Sequence, residues 1–254
     1  MARAAKHFGR RIFTALMIAA VLAVASNYIS GYFYKPAFVN YSEFGIDIPT
    51  NYPIHGIDVS HYQNDISWKD VSEMKVRNVA VGFAFVKATE GVDMTDESYR
   101  ENLAGAREAG IPMGVYHFFI ASESGKAQAQ HFIETVRLRA GDLPPVLDVE
   151  TVNGASVADL QQRVADWLDV VEKRYKLLPI IYTNADFYKT FLSARFDKYP
   201  FWIAHYLAKE KPRTNRSWLF WQHNINATVS GIRTHVDFDV FNGDTAAFKK
   251  ILIQ

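Results

Sequence analysis

The chain contains no cysteine. That excludes a disulfide framework and any zinc or iron–sulfur site built on thiolates. It leaves the compartment open, because exported proteins also fold without disulfides. The sequence has no HExxH and no EF-hand spacing, no internal repeat and no low-complexity segment. Basic charge is also scarce once the first 35 residues are set aside. Those residues hold Arg3, Lys6, Arg10, Arg11 and Lys35 and no acidic residue, so the remaining chain carries 23 of the 28 Lys/Arg against all 27 Asp/Glu. A mildly acidic body argues against nucleic acid as a partner, since phosphate binding wants a basic surface.

Apolar residues are plentiful. They make up 49% of the 254 residues, and aromatics make up 14%, enough for one large core. The chain is long enough for one large domain or two small ones.

Residues 12–34 form an uncharged stretch between Arg10-Arg11 and Lys35. Its most apolar part, Ile12 to Ala25, has the length of a signal-peptide core, and Ala23-Val24-Ala25 fits a small-x-small cleavage site. The whole stretch is also long enough to span a bilayer. It ends in Tyr28, Tyr32, Phe33 and Tyr34, which suit the interfacial belt of an anchor. On either reading the basic cluster stays on the cytoplasmic side. The body is then exported, either anchored in the inner membrane facing the periplasm or cell wall, or secreted after cleavage behind Ala25. Residues 1–35 are therefore assigned to a basic tail and signal or anchor, 36–53 to a proline-containing linker, and 54–254 to the folded body.

In the body two patterns alternate. Short apolar runs read as buried strands at Ile54–Ser60, Val79–Ala88, Pro112–Phe119, Pro144–Glu150, Pro179–Thr183, Phe201–His205, Trp218–His223 and His235–Phe238. Helical stretches fall between the early runs, at Trp68–Arg77, Glu97–Ala109, Lys126–Arg139 and Val157–Arg174. The last shows Leu160, Val164, Trp167, Leu168 and Val171 at three- and four-residue spacing. Alternation of this kind builds a mostly parallel sheet with helical crossovers, and eight strands suggest a barrel. The last three runs leave little room for helices, so an irregular TIM-like α/β barrel is expected.

Barrels of this class carry their chemistry at the C-terminal ends of the strands. Asp148 and Glu150 are two residues apart at one such end. On a strand they would face the same way, about 6.6 Å apart along it. Crowded carboxylates push one pKa up and leave a proton available near neutrality, the division of labour that glycosidic cleavage needs. Such a pair can also be purely structural. Asp58 reaches the same mouth, and so does either Asp237 or Asp239, which strand parity cannot separate. Four acids around one mouth could also hold a divalent metal. No metal motif supports that, and no cofactor is expected. Tyr62, Tyr116, Phe118, Tyr182, Trp202, Tyr206 and Trp221 lie at strand ends. Flat rings there suit sugar faces, although about half of such rings should be core. His117 and His205 read as hydrogen-bonded pocket or core residues, and Lys87 as a partner for a carboxylate.

These segments together resemble the glycoside hydrolase family 25 lysozymes, the Chalaropsis-type muramidases. The resemblance is carried by Gly56-Ile57-Asp58-Val59-Ser60 with Tyr62-Gln63 and Trp68, then by Phe85-Val86-Lys87-Ala88-Thr89-Glu90-Gly91 and Gly114-Val115-Tyr116-His117-Phe118. It continues in Leu147-Asp148-Val149-Glu150, Ile181-Tyr182-Thr183, Trp202-Ile203-Ala204-His205-Tyr206, Trp221-Gln222 and Val236-Asp237. It implies a (β/α)5(β)3 barrel and hydrolysis of the β-1,4 bond between N-acetylmuramic acid and N-acetylglucosamine in peptidoglycan. It further implies Glu150 as general acid, Asp148 assisting, and Asp58 and Asp237 as the other acids of the cleft. Tyr62, Lys87, Glu90, Tyr116, Tyr182, Trp202, Tyr206 and Gln222 are expected to bind substrate. The resemblance selects Asp237 over Asp239, which falls where the family's strand ending often has Asn. Two alternatives use the same barrel: a non-catalytic peptidoglycan-binding module, and a chitinase-like glycosidase. A monomer is expected, because no heptad pattern appears.

Overall fold

The computed structural model describes residues 37–208 and 210–254. The uncharged stretch 12–34 lies outside the described residues. Among the described residues no helix is long and apolar enough to cross a membrane.

The described chain begins with a hairpin of β1 (Phe38–Tyr41) and β2 (Ile46–Pro49), closed through Gly45 at φ 66°. Most of the 36–53 stretch is therefore not an open linker. Strand β3 (His55–Val59) leads through a single turn at His61–Gln63 to helix α1 (Trp68–Glu73), then to a two-residue strand β4 (Lys75–Val76) and the long β5 (Val79–Glu90). The short β6 (Met94–Thr95) folds back on β5. Next come α2 (Tyr99–Glu108), β7 (Met113–Phe118), α3 (Gly125–Thr135), β8 (Val146–Asp148) and α4 (Val157–Tyr175). Strand β9 (Ile180–Asn184) is followed by a short helix α5 (Ala185–Phe187) that continues as a π-helical turn to Leu192. Three strands then follow, β10 (Phe201–Ala204), β11 (Phe220–Ala227) and β12 (Val236–Phe241), with no helix between them, and helix α6 (Thr245–Ile251) completes the order.

Eight strands close into a barrel in the order β3, β5, β7, β8, β9, β10, β11, β12, with β12 returning to β3. Every neighbouring pair is parallel except the two made by β12, which runs antiparallel to both β11 and β3. Five strands each followed by a helical crossover, then three without one, match the order expected from the sequence. Two helices are shorter than expected. The α1 helix stops at Glu73 because Lys75–Val76 pairs back onto Val79–Ala80 through Arg77 at φ 55°. The α3 helix ends at Thr135, and Val136 is already extended.

Alternating strand residues separate two cores. Inward-facing Phe83, Phe85, Val146, Ile180, Tyr182, Trp202, Phe220 and Phe241 fill the barrel below its mouth. Glycine makes room for two of these rings. A Cβ on Gly56 would lie 2.3 Å from the Phe83 ring, and one on Gly114 would lie 2.2 Å from Phe85. Outward-facing residues pack against the helices, and the expected α4 stripe of Leu160, Val164, Trp167, Leu168 and Val171 is wholly buried there. Ser156 caps that helix, its Oγ accepting from Asp159 N at 3.1 Å. Where the last strands lack helices, the β1–β2 hairpin supplies the cover. Phe44 packs on Phe238 at 5.2 Å, and Phe38 meets Trp221 edge-on at 6.0 Å. The fold thus leaves one end of the barrel open, and the residues of that end form the site.

Candidate active site

A cleft of about 330 Å³ opens at the C-terminal ends of the parallel strands. Its walls carry Asp58, Asp148, Glu150 and Asp237 together with Tyr62, Lys87, Glu90, Tyr116, Tyr182, Trp202 and Gln222. Of the residues expected from the sequence, Tyr206 alone is not part of the wall, but its hydroxyl reaches in to Gln222 Oε1 at 2.7 Å.

The acids arrive from three places on the rim. Asp58 is the penultimate residue of β3 and Asp237 the second of β12, and the antiparallel ladder sets the two directly opposite each other. Asp148 is the last residue of β8, and Glu150 lies two residues beyond, past the end of the strand. The pair therefore does not share a regular strand face as the spacing suggested, yet both carboxyls line one cleft. Asp148 is buried and Glu150 is the more open of the two.

Gln222, on β11, ties the acids to the aromatic wall. Its Nε2 donates to Asp58 Oδ2 at 2.7 Å and to Asp237 Oδ2 at 3.3 Å. Its Oε1 accepts from the hydroxyls of Tyr182 and Tyr206, both at 2.7 Å. One amide thus uses both of its ends and fixes four side chains from four segments. Trp202 stacks on Phe85 at 4.4 Å and donates through Nε1 to Asp239 Oδ1 at 2.7 Å. On the opposite wall Lys87 Nζ pairs with Glu90 Oε2 at 2.5 Å and sits over the Phe118 ring.

Burial dominates the electrostatics. It pushes the Asp148 carboxyl well above the ordinary range; the charge of Glu150 pushes the same way, and Lys87 opposes it. Glu150 is raised by burial and then by the charge of Asp237. Asp237 itself is pushed up to about 6 by burial. Asp58 and Asp239 are both held well above the usual carboxylate range by burial, with Asp237's charge adding to each. Acids crowded in this way cannot all ionise together, so the cleft keeps protons near neutral pH.

His117 lies outside the cleft, fully buried between Thr89 Oγ1 at 2.7 Å and Gln128 Oε1 at 3.1 Å. Burial drives its pKa down to about 3, so it stays neutral and serves as core. His205 Nδ1 accepts from Arg213 N at 3.0 Å. Both histidines therefore have the structural roles expected of them. Trp221 is likewise core: it lies on the outer side of β11 under the hairpin.

Two features were not expected from the sequence. Ser60 and Gln63 form a reciprocal cap around the turn after β3, and Gln63 Nε2 also donates to His235 O at 3.3 Å, just before β12. The S-x-x-Q spacing was a legible signal for the cap. Asp96 accepts from the His61 backbone at 3.1 Å and holds the His61 ring at 2.8 Å, and that ring supports exposed Tyr62 at 4.2 Å. No local pattern announces a contact that depends on β6 folding back.

The Glycosyl hydrolases family 25 model matches residues 57–232. Uncharacterized protein YegX of Escherichia coli K12 is 43% identical over 218 residues, covering 86% of this chain and 79% of that protein. Lysozyme M1 of Streptomyces globisporus is 35% identical over 208 residues, covering 76% and 69%. Among solved structures, a family 25 glycosyl hydrolase from Bacillus anthracis superposes with a TM-score of 0.74 at 29% identity, covering 84% of this chain and 99% of that one. With a matching family model over most of the barrel, and the expected acids gathered in one cleft, the chain belongs to glycosyl hydrolase family 25 and is a glycoside hydrolase.

Proposed function

We propose that this protein is a lysozyme that cleaves the β-1,4 bond between N-acetylmuramic acid and N-acetylglucosamine of peptidoglycan, with Glu150 as general acid. The observation that carries the assignment is the pairing of Glu150 with the deeper Asp148 in one cleft. Burial and the charge of Asp237 raise Glu150, which favours the protonated form that a general acid needs to deliver a proton to the leaving oxygen.

Asp148 assists. Its Oδ1 has no hydrogen-bond partner among the described residues. The N–H of a substrate 2-acetamido group would supply one, and both that donor and Lys87 favour the ionised carboxylate. The acetamido oxygen is then free to attack the anomeric carbon, a route with net retention that needs no carboxylate nucleophile. Asp58 and Asp237, clamped by Gln222, face the charge that develops at the sugar. The rings of Tyr62, Tyr116 and Tyr182 offer sugar-sized apolar faces. A binding module would have no use for an acid whose pKa is raised beside a second carboxyl, which favours catalysis over that alternative.

The basic, uncharged-then-Lys35 start of the chain supports export with an inner-membrane anchor. An anchor would confine cleavage to glycan strands near the membrane. The working unit is taken as a monomer.

The test is product analysis of purified peptidoglycan by mass spectrometry, beside a Glu150→Gln control. Muropeptides ending in reducing N-acetylmuramic acid are expected, with release slowed about 10²- to 10⁴-fold in the control. A reducing N-acetylglucosamine end would overturn the bond assignment. Equal release by both proteins would overturn the assignment of the acid. Release of the protein from membranes by a high-salt wash would overturn the anchor.

A further inference from the structure

Cleavage by Glu150 and Asp148, with Asp58 and Asp237 facing the sugar, leaves one carboxyl of the cleft floor unused. Asp239 lies two residues beyond Asp237 on β12, on the same strand face. It is wholly shielded from solvent. The ladder sets it between Gly56 of β3 and Gln222 of β11. Gly56 opposite it has no side chain, and the Phe83 ring takes that space. Trp202 Nε1 donates to its Oδ1 at 2.7 Å, while its Oδ2 receives no N–H or hydroxyl. Its diagonal neighbour on that face is Asp58, which the β3–β12 ladder sets opposite Asp237 and two residues from Gly56.

A carboxyl proton held between the two would give that buried oxygen its partner, whereas two ionised carboxylates could only accept. Nothing else near the pair could balance two charges. Asp237 faces it from β12, Glu150 and Asp148 from the β8 end, and all are acidic. Gln222 of β11, Trp202 of β10, Tyr182 of β9 and Tyr116 of β7 are neutral groups. The lysine of the cleft, Lys87 on β5, is already engaged by Glu90.

We propose that Asp239 is a positioning residue for the glycosidase reaction: it holds one proton in common with Asp58 beneath the cleft, and so fixes the charge and orientation of the Asp58 carboxyl that faces the substrate. This deepens the lysozyme reading and rests on its placing of Asp58 at the substrate. With that proton shared, the pair carries a single negative charge. Gln222 Nε2 and the shared proton bind Asp58 from two sides, which leaves its carboxyl one orientation. Trp202 does the same for Asp239 from below.

The experiment compares the wild-type chain with Asp239→Asn and Asp239→Leu, by carboxyl 13C NMR titration and by kcat and KM on purified peptidoglycan. In the wild type, Asp58 and Asp239 should titrate together in two steps pushed apart by their coupling. In Asp239→Asn the amide oxygen still accepts from Trp202 and the amide N–H₂ donates to Asp58. Asp58 should then titrate once, between the two wild-type steps, with kcat near pH 6 kept within about threefold. Asp239→Leu leaves Asp58 without this partner, and kcat should fall at least about tenfold with little change in KM. An Asp58 titration identical in the wild type and the Asn variant would overturn the proposal. So would equal activity, or equal loss, in the Asn and Leu variants. If the Leu variant does not fold, the Asn titration decides alone. Failure of the wild type to cleave peptidoglycan would refute the lysozyme reading instead, and the titration would still decide whether the proton is shared.

Discussion

Neutralising a cleft acid should stabilise the protein, and only above acidic pH. Asp237→Asn is the cleanest case. In the unfolded chain Asp237 loses its proton near 3.8, and in the folded protein near 6. Between those values the folded state binds the extra proton, so its stability falls as pH rises through the window, and the loss is complete above about 6. A rise from 3.8 to about 6 is worth at most about 3 kcal/mol. Partial contact with solvent and coupling to Asp58 reduce that, and roughly 1–2 kcal/mol is the expected gain. For a domain of this size it corresponds to roughly 2–8 °C in Tm. An Asn Oδ1 can still accept from Gln222, which now reaches Asp237 at 3.3 Å, so the substitution removes charge and leaves the contact. Calorimetric melting of both proteins from pH 4 to pH 8 measures the effect. The two curves should meet near pH 4 and separate steadily to about pH 7. A constant offset at every pH would show that the gain has nothing to do with the proton. A variant less stable than wild type at pH 8 would refute the claim that burying this charge is costly. Activity should fall in the same variant, since the strain belongs to the site.

Gln222→Leu should cost about 2–4 kcal/mol in urea unfolding, because it leaves the buried Tyr182 hydroxyl and Asp58 without their partner at once. A cost below about 1 kcal/mol would mean that water replaces the amide. Gly125→Ala should destabilise by roughly 1–3 kcal/mol or more, since the new Cβ would fall 1.9 Å from the backbone oxygen of Arg163 and force α3 and α4 apart. Unchanged melting would show that the helices part freely. Tyr62→Ala should raise KM several-fold, about the worth of one aromatic contact, and leave kcat alone, because Tyr62 is 72% exposed on the cleft wall. A matching fall in kcat would place it in the chemistry instead.

The parallel half of the barrel was legible because each strand is a short apolar run and each helix shows its buried stripe. Leu160, Val164, Trp167, Leu168 and Val171 announce α4 by their spacing alone. The acids at strand ends were legible for the same reason, since Asp58 and Asp148 each lie near the end of a run of buried residues. The hairpin at Phe38–Pro49 was hidden. Its residues show no clear period, and what orders them is the bare outer face of β11 and β12, a tertiary partner that local sequence does not reveal. Asp239 was readable as an acid but not as a buried one. Its place on the floor depends on Gly56 opposite and on Trp202 reaching across from β10. The cap of the turn after β3 could have been read, from Ser60 and Gln63 three residues apart.

The reversed direction of β12 has a consequence in time. Asp58 comes near the start of the barrel and Asp237 near its end, and they meet only across the seam where the last strand slots in beside the first. Gln222, which holds both, also arrives late. A growing chain therefore has no complete cleft until its final strand has emerged and the ring is shut.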